Sequence, residues 1–476
     1  MGSLLNRRDF LKTVGMGTAA LAMPGCLFAA GKRITGGKKR NVLFIAVDDL
    51  RPQLGCYGHK QMLSDNIDGL AADGVIFLRS YCQVPVCGAS RASLLTGVRP
   101  TRDRFISYNV WAEKDLPGAL SLGKHFKNNG YHTISNGKVF HHANDCKDSW
   151  SENPWRPRGP WMNYLLEENK KLVREGSDGR GPAFESADVP DNAYFDGMIA
   201  DKAISDLGRL ADIDKPFFLA LGFFKPHLPF NAPKKYWDLY NREEIDLADN
   251  PFRPKGAPDA ALHNWGELRS YAGIPGKGPL SDELARTLIH GYYACVSYTD
   301  AQIGRVLAEL ERLGLRDNTV VLLWGDHGWN LGEHGLWCKH CNFETSLHSP
   351  LIVTAPGIKG GTRTNALTEY LDIYPSLCQL CDLSLPAHLQ GKSFVPLMKE
   401  PNRPWKKAVF SRYYNGDSVK TDRYRYTEWR KKDGQVYARM LYDHSVDWVE
   451  NVNISERPEN KELVEKLSEM LQEIRV

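Results

Sequence analysis

The chain has 476 residues, of which 42% are hydrophobic and 25% charged, a composition typical of a soluble globular enzyme larger than one small domain. Its 61 Lys and Arg residues nearly balance 57 Asp and Glu. A net charge of +4 over this length gives no electrostatic field strong enough to indicate nucleic-acid binding. We therefore expect no nucleic-acid partner. Ten cysteines do not predict a disulfide scaffold, and we interpret the closely spaced Cys338, Cys341, Cys378 and Cys381 as packing residues or one local bridge.

Residues 1–30 have the features of an export signal. Arg7 and Arg8 form a twin arginine, and a weakly apolar stretch rich in Gly and Ala follows them. This pattern predicts recognition by the twin-arginine export machinery, and hence a periplasmic or cell-surface protein. A membrane-spanning anchor is the weaker alternative, because the stretch is short and poor in bulky apolar residues. Cys26 would carry a lipid anchor in a lipoprotein, whereas ordinary cleavage at the end of the stretch would remove it.

Three apolar runs of strand length alternate with helical patterns along the chain. They are Asn41–Val47, Pro216–Gly222 and Thr319–Trp324, and their unbroken apolar character is typical of parallel strands covered on both faces. In Ser281–Gly314, apolar residues recur close to helical spacing. Strands that alternate with helices predict an α/β fold built on a mostly parallel sheet.

Acidic residues follow two of these runs at the point where each one ends. Asp48 and Asp49 come directly after the first run, and Asp326 and His327 come shortly after the third. Because ligands bind beyond the carboxyl ends of parallel strands, we expect these side chains to converge there. Carboxylates are hard oxygen donors, and calcium best suits a shell rich in them. A solvated turn or a helix N-cap is the alternative for Asp48 and Asp49.

The segment Cys87–Gly97 combines a thiol and short residues with an arginine one turn further on, at Arg91. Short residues favour a helix N-terminus, whose free N–H groups attract negative charge. A guanidinium adds a planar fork that suits tetrahedral oxyanions. The pattern predicts an anion site where this helix begins. The alternative is a small buried cysteine in a capped helix.

Four basic residues elsewhere are further candidates for the site. They are Lys138, His141, His227 in a Lys-Pro-His turn, and Lys339. Each one alone is equally compatible with a structural residue or a surface charge. They indicate a functional site only when they are taken together.

Seven segments match one enzyme family, in the family's order along the chain. They are Asn41–Pro52, Cys87–Pro100, Gly130–His141, Lys225–Phe230, Val296–Asp300, Asp326–Gly335 and, more weakly, Asp422–Trp429. On these motifs the chain resembles the type I sulfatases of the alkaline-phosphatase superfamily, in the branch that acts on 2-O-sulfated uronic acids. The resemblance implies a large mixed, mostly parallel sheet sandwiched by helices in residues 31–385. It also implies a small C-terminal α+β subdomain, with an antiparallel sheet and a terminal helix, in residues 386–476.

The same resemblance implies a modified nucleophile and one bound cation. In this family the cysteine at the position of Cys87 is oxidised to formylglycine, so we expect a maturation enzyme as a partner. A Ca²⁺ ion would be held by the modified Cys87 together with Asp48, Asp49, Asp326 and His327. One hydroxyl of the formylglycine hydrate would then attack the sulfur of the ester in line.

The resemblance also assigns roles to the basic residues. Arg91 and Lys138 would spread the charge of the transition state. His227, helped by Lys339, would protonate the departing sugar oxygen. His141 would deprotonate the second hydroxyl of the hydrate, which expels sulfate and restores the aldehyde.

The expected substrate is a sulfated oligosaccharide or polysaccharide that carries 2-O-sulfate on a uronic acid, as in a glycosaminoglycan or an algal glycan. Lys339 would reach a carboxylate beside the sulfate, and Trp329 would offer a flat face to the sugar ring. The alternatives among enzymes are a sulfatase of another sulfated polysaccharide and a phosphodiester or phosphonate hydrolase of the same superfamily. A noncatalytic glycan-binding lipoprotein, with Cys87 never oxidised, is the alternative outside them.

Overall fold

A computed structural model describes residues 39–175 and 180–474. The predicted export signal, with Arg7, Arg8 and Cys26, lies outside these residues. From Lys39 onward the described residues form one compact unit, and the boundary expected between residues 385 and 386 stays a prediction. None of the helices in the described ranges is long and apolar enough to cross a membrane.

Strands recur along the whole described chain. In chain order they are β1 (Asn41–Val47), β2 (Val75–Phe77), β3 (Ser80–Tyr81), β4 (His132–Gly137), β5 (Phe184–Ala187), β6 (Phe217–Phe223), β7 (Phe230–Pro233), β8 (Thr319–Gly325), β9 (Asn330–Leu331), β10 (Trp337–Cys338), β11 (Leu351–Thr354), β12 (Thr362–Thr364), β13 (Thr368–Glu369), β14 (Ala408–Tyr413), β15 (Gly416–Thr421), β16 (Tyr424–Arg430) and β17 (Val436–Asp443).

A seven-stranded sheet forms the centre of the fold, in the order β12-β2-β11-β8-β1-β6-β4. Strand β11 runs antiparallel to both of its neighbours, and the other pairs are parallel. The sheet is therefore mixed and mostly parallel, which confirms the predicted fold class. The three apolar runs of the sequence are its central strands β1, β6 and β8, each displaced by no more than one residue.

The described chain forms thirteen α-helices. They are α1 (Asp65–Ala72), α2 (Cys87–Thr96), α3 (Ala112–Asp115), α4 (Leu122–Asn128), α5 (Glu167–Glu175), α6 (Phe195–Ala211), α7 (Lys234–Trp237), α8 (Gly266–Arg269), α9 (Asp282–Arg312), α10 (Glu344–Leu347), α11 (Ile373–Leu380), α12 (Val395–Lys399) and α13 (Lys461–Met470). Successive residues of a strand point to opposite faces. Leu43 and Ile45 accordingly share a core with α1, α6 and α9, whereas Val42 and Phe44 share one with α2, α4, α11 and α12.

The register of the central strands brings their carboxyl ends together. Val47 at the end of β1 lies opposite Gly325 of β8 and Phe223 of β6. The residues that follow these strands therefore begin at one edge of the sheet. Gly222 also matters here, because a Cβ atom at this position would lie 2.0 Å from the backbone carbonyl carbon of Lys138.

A second sheet follows towards the C-terminus. It has four antiparallel strands in the order β14-β15-β16-β17. Helix α13 packs on it through a small core that includes Tyr426, Leu441 and Leu467. This is the small antiparallel sheet with a terminal helix that the resemblance implies.

The cysteines of the described chain form no disulfide. All nine of them are free and buried, among them Cys338, Cys341, Cys378 and Cys381. The interpretation of these four as packing residues is therefore correct, and the local bridge is absent from the described residues.

Candidate active site

Three carboxylates converge where β1 and β8 end. Asp48, Asp49 and Asp326 are each 0% exposed. The Asp49 backbone N–H donates to Asp326 Oδ1 at 2.9 Å, which links the two strand ends directly. Asp49 has a φ of 60°, a left-handed conformation that is costly for a residue other than glycine and that clusters at functional sites.

His327 lies against this carboxylate cluster. Its Nδ1–H donates to the Gly328 carbonyl at 2.9 Å, because a carbonyl oxygen can only accept. The other ring nitrogen of His327, Nε2, lies 3.3 Å from Asp49 Oδ1 and 3.3 Å from Cys87 Sγ. An Nε2 atom without a proton and the Asp49 carboxylate oxygen are both acceptors. At this distance they repel each other unless a cation or a proton lies between them.

The donor atoms fit a divalent cation. Ligand atoms of Asp48, Asp49 and Cys87 lie within 4.8 Å of one another, and so do those of Cys87, Asp326 and His327. Cys87 Sγ stands where an oxygen of an oxidised residue would be. A buried set dominated by carboxylate oxygens suits Ca²⁺, which prefers hard oxygen donors, better than a metal that favours sulfur or nitrogen.

Two permanent cations share the negative charge of the cluster. Arg91 donates from Nε to Asp326 Oδ2 at 2.9 Å and from Nη2 to Asp48 Oδ1 at 3.1 Å. Lys138 Nζ pairs with the other oxygen of Asp48. Burial alone would raise the pKa of Asp48, but Lys138 and Arg91 outweigh it and hold the pKa well below its usual range. The site therefore keeps Asp48 ionised.

Cys87 is the first residue of α2 and is 2% exposed. The following Gly88 is required, because a Cβ atom there would lie 2.1 Å from the Tyr108 carbonyl oxygen. Burial, and then the charge of Asp48, raise the pKa of the Cys87 thiol well above its usual value. A protonated thiol is a poor nucleophile, so the unmodified side chain is unsuited to attack an ester.

His141 faces the same cavity as Cys87. Its buried Nδ1 has no hydrogen-bond partner within the described part of the chain. Burial, and then the neighbouring charge of Lys138, lower the pKa of His141 to about 2. A neutral imidazole with a free ring nitrogen can accept a proton.

His227 and Lys339 meet at Glu267, a carboxylate that no sequence motif predicts. His227 Nε2 lies 3.1 Å from Glu267 Oε1, while its Nδ1–H donates to the Leu228 carbonyl at 2.6 Å. Lys339 Nζ lies 2.8 Å from Glu267 Oε2 and 3.1 Å from Asp49 Oδ2. Burial would raise the pKa of Glu267, but Lys339 and then His227 hold it well below its usual range.

The expectation that Trp329 stacks on a sugar ring is wrong for this structure. Trp329 is only 1% exposed and belongs to the hydrophobic core. Its ring lies under the Lys339 ammonium, with 4.7 Å between Nζ and the ring centre. Trp329 therefore supports Lys339 and does not reach the substrate.

A cavity of about 680 Å³ opens above these groups. Its walls include Asp48, Cys87, Lys138, His141, His227 and Lys339. Three exposed aromatic residues also line it, namely Tyr108, Trp161 and Tyr414, at 62%, 44% and 59% exposure. Arg91, Asp49, Asp326 and His327 lie fully buried beneath. Every predicted site residue except Trp329 therefore either lines the cavity or belongs to the buried charged cluster beneath it.

A buried carboxylate cluster beneath a cavity lined by basic groups, at the strand ends of an α/β sheet, defines a hydrolase of anionic esters. A family model described as Sulfatase matches residues 40–383, and one described as N-sulphoglucosamine sulphohydrolase, C-terminal, matches residues 332–476. The chain is 34% identical to the Iduronate 2-sulfatase of Homo sapiens over 471 residues, covering 82% of this chain and 84% of that one. The chain belongs to the sulfatase family and is a sulfuric ester hydrolase.

Two solved structures share the fold. A phosphonate monoester hydrolase from Silicibacter pomeroyi gives a TM-score of 0.74 at 22% identity, with 92% of this chain and 95% of that chain covered. A 2-O GAG sulfatase gives a TM-score of 0.69 at 22% identity, with 92% of each chain covered. At this level of identity the likeness concerns the fold alone.

Proposed function

We propose that this sulfuric ester hydrolase removes sulfate from sulfated glycans after export, with 2-O-sulfated uronic acid as its preferred residue. The observation that carries the proposal is the position of Cys87, which begins a buried helix and faces the carboxylate cluster beside Lys138 and His141. The name of the human relative, Iduronate 2-sulfatase, supports the choice of sugar. The twin arginine Arg7-Arg8 supports export.

The proposal includes one cation and one modified residue. Asp48, Asp49, Asp326 and His327, with residue 87, would hold Ca²⁺, and a maturation enzyme would oxidise Cys87 to formylglycine. When present, the cation would polarise the sulfate, and the formylglycine hydrate would supply the nucleophilic oxygen. The raised pKa of the Cys87 thiol supports this part, because the unmodified side chain would stay protonated.

Arg91 and Lys138 would stabilise the charge that builds up on the sulfate oxygens. Both are held in place by carboxylates before any substrate arrives, with Arg91 fixed between Asp48 and Asp326. Cations that are fixed in advance need no reorganisation during the reaction, and in a buried site they act with little screening.

Proton transfer would fall to the two histidines on the cavity wall. His227 donates through Nδ1 to a carbonyl and presents Nε2 beside Glu267 on the cavity wall, from where a proton on Nε2 would pass to the leaving sugar oxygen. His141 has a ring nitrogen without a partner among the described residues and lines the cavity with Cys87, so it would accept a proton from the nucleophilic residue during turnover.

Sulfate release from a panel of substrates tests the proposal. We expect faster release from a 2-O-sulfated uronic acid disaccharide than from 6-O-sulfated hexosamine or sulfated galactose. Cys87→Ala should abolish release while the variant remains folded by circular dichroism, and peptide mass should show Cys87 oxidised in the wild type. Cys146→Ala, at a buried cysteine that does not line the cavity, is the matched control. Preferred turnover of neutral sulfated sugars would contradict the uronic acid part, and an active Cys87→Ala would contradict the mechanism.

A further inference from the structure

Arg180 lines the cavity, and no carboxylate of the described residues pairs with it. Its Nη1–H donates to the Glu267 backbone carbonyl at 3.3 Å. The guanidinium lies 5.6 Å from the ring centre of Trp161 and 5.2 Å from that of Tyr271. The rings hold the cation by cation–π attraction without neutralising it. A guanidinium has five N–H donors, so most of its capacity remains for a ligand.

The other lysine and arginine side chains on the cavity wall are already engaged. Lys138 and Lys339 are paired with carboxylates, and Lys225 and Arg156 donate to several backbone carbonyls. The Lys339 side chain is in addition only 3% exposed. A substrate carboxylate could reach Lys339 only by displacing a buried ion pair, which is costly. Lys339 is therefore a poor receptor for a second anion of the substrate.

Arg180 and Trp161 lie beside the group assigned to the leaving oxygen. The ring centres of Trp161 and His227 are 5.9 Å apart in an edge-to-face arrangement. The carbonyl that accepts from Arg180 belongs to Glu267, whose carboxylate contacts His227 at 3.1 Å. Because the proposed function places the sugar oxygen at His227, the sugar that carries the sulfate lies next to these two side chains.

We propose that Arg180 binds a carboxylate on the sulfated sugar while Trp161 contacts the ring of that sugar, so that Arg180 selects uronic acids. The guanidinium fork matches a carboxylate in a bidentate pair. Trp161 is 44% exposed and lines the cavity, so part of its ring is accessible to a sugar. The inference rests on the proposed function for the reaction and adds the residue that determines specificity, a role that Lys339 cannot fill.

The test compares two substrates that differ only in the charged group. One is the 2-O-sulfated uronic acid disaccharide, and the other is the same disaccharide with its carboxyl reduced to a hydroxymethyl group. We expect Arg180→Gln to lower kcat/KM on the first by about 10- to 100-fold and to leave the second nearly unchanged, because only the first loses a charge-assisted hydrogen bond. Arg180→Lys should restore part of the loss, since lysine keeps the charge but lacks the fork.

Arg363→Gln removes an exposed arginine on β12 and is the matched control, expected to leave both substrates unaffected. Equal losses on the two substrates, or no loss on the uronic acid, would overturn the inference. Disaccharides with and without sulfate on the neighbouring sugar distinguish a carboxylate from a second sulfate. A loss in Arg180→Gln that depends only on that neighbouring sulfate would also overturn it.

Calorimetric binding of the unsulfated uronic acid disaccharide separates this inference from the proposed function. If wild-type protein cleaves no sulfate ester but binds this disaccharide more tightly than Arg180→Gln does, the proposed function fails and the subsite stands. If uronic acid sulfates are cleaved but neither binding nor kcat/KM depends on Arg180, the subsite fails and the proposed function stands.

Discussion

Glu267 brings a negative charge into a cavity that must receive sulfate, and its contacts account for its presence there. The carboxylate bridges His227 at 3.1 Å and Lys339 at 2.8 Å. Lys339 is linked further to Asp49 at 3.1 Å. Glu267 therefore orients His227, the proposed proton donor, and Lys339 towards the same region of the cavity. A hydrogen-bonded third group that aligns an acid with its substrate is a recurrent arrangement in catalytic sites.

Glu267→Gln should lower kcat on sugar sulfates by about 10- to 100-fold, less than the roughly 100- to 10,000-fold that a general acid itself contributes, because the variant keeps His227. Aryl sulfates should be less affected, because their phenolate leaving groups depart without full protonation. The comparison of kcat for the two substrate classes is the measurement. Glu311→Gln, at an exposed position of α9, is the control. An equal loss on both classes would indicate that Glu267 only supports the fold.

Removal of the proposed Ca²⁺ should stop turnover. Asp48, Asp49 and Asp326 are fully buried close together, and without a cation their negative charges would repel one another and the sulfate of the substrate. After treatment with a chelator and desalting, we expect sulfate release to vanish and to return on addition of Ca²⁺. The melting temperature should fall in parallel, since a ligand that binds only the folded state stabilises it. Metal analysis that finds no divalent cation in an active preparation would refute the site.

The contrast between Glu267 and the carboxylate cluster shows what the sequence can reveal about single residues. Asp48, Asp49 and Asp326 follow apolar strands directly, so their convergence could be predicted from strand ends alone. Glu267 lies in the four-residue helix α8, and only the tertiary fold brings it to Lys339, 72 positions away. The prediction for Trp329 failed for the same reason. The sequence does not show whether an aromatic residue near a site motif faces the cavity or the core behind its wall.

Strand β16 and helix α10 are joined by a buried ion cluster. Arg425 of β16 is 1% exposed, and it donates from Nε to Glu344 at 3.0 Å and lies 3.2 Å from Glu450. The Tyr81 hydroxyl donates to Glu344 at 2.7 Å. Burial would raise the pKa of Glu344, but Arg425 outweighs it and holds the pKa well below its usual range. The C-terminal sheet is thus attached through a carboxylate that must stay ionised.

Glu344→Gln should destabilise the protein by about 1–3 kcal/mol at neutral pH, because it removes the nearer of the two carboxylates that pair with the buried Arg425 and leaves only Glu450. The folded pKa of Glu344 is depressed, so its stabilisation is present above the unfolded pKa of about 4.3 and is lost as pH falls through the folded value. The difference in unfolding free energy between wild type and variant should therefore narrow below about pH 4. Denaturant titrations from neutral to acid pH measure it, with Glu465→Gln on the exposed side of α13 as control. A difference that does not change with pH would contradict this account.

Secondary structure was predictable where the hydrophobic pattern is strong. The runs that became β1, β6 and β8 are covered on both faces, and α9 (Asp282–Arg312) follows the expected spacing within two residues at each end. The antiparallel direction of β11 was not predictable, because strand direction depends on how the chain returns to the sheet and leaves no mark on the strand's own composition.

At the scale of the whole molecule, the burial of α2 limits when Cys87 can be modified. Every residue of α2 is buried, and Cys87 itself is 2% exposed. A maturation enzyme cannot reach this thiol once the sheet and its two helical layers have formed. The twin-arginine route, which we propose for this chain, carries proteins that have already folded. Oxidation of Cys87 would therefore have to precede folding, in the cytoplasm, and folding would have to precede export.

Replacing Arg7 and Arg8 by lysine should trap mature enzyme inside the cell, because the export machinery would no longer recognise the signal while folding and oxidation would proceed as before. We expect cytoplasmic extracts of this variant to hold full sulfatase activity, with Cys87 oxidised in the peptide mass spectrum, and periplasmic and surface fractions to lose it. The control variant carries Lys32→Arg and Arg33→Lys. It keeps the same charge at these two positions and leaves Arg7 and Arg8 in place. Normal delivery of the variant would refute the export route. A trapped protein whose Cys87 is still a thiol would instead refute the order of events, since the buried helix would then have closed before the oxidation that the proposed mechanism requires.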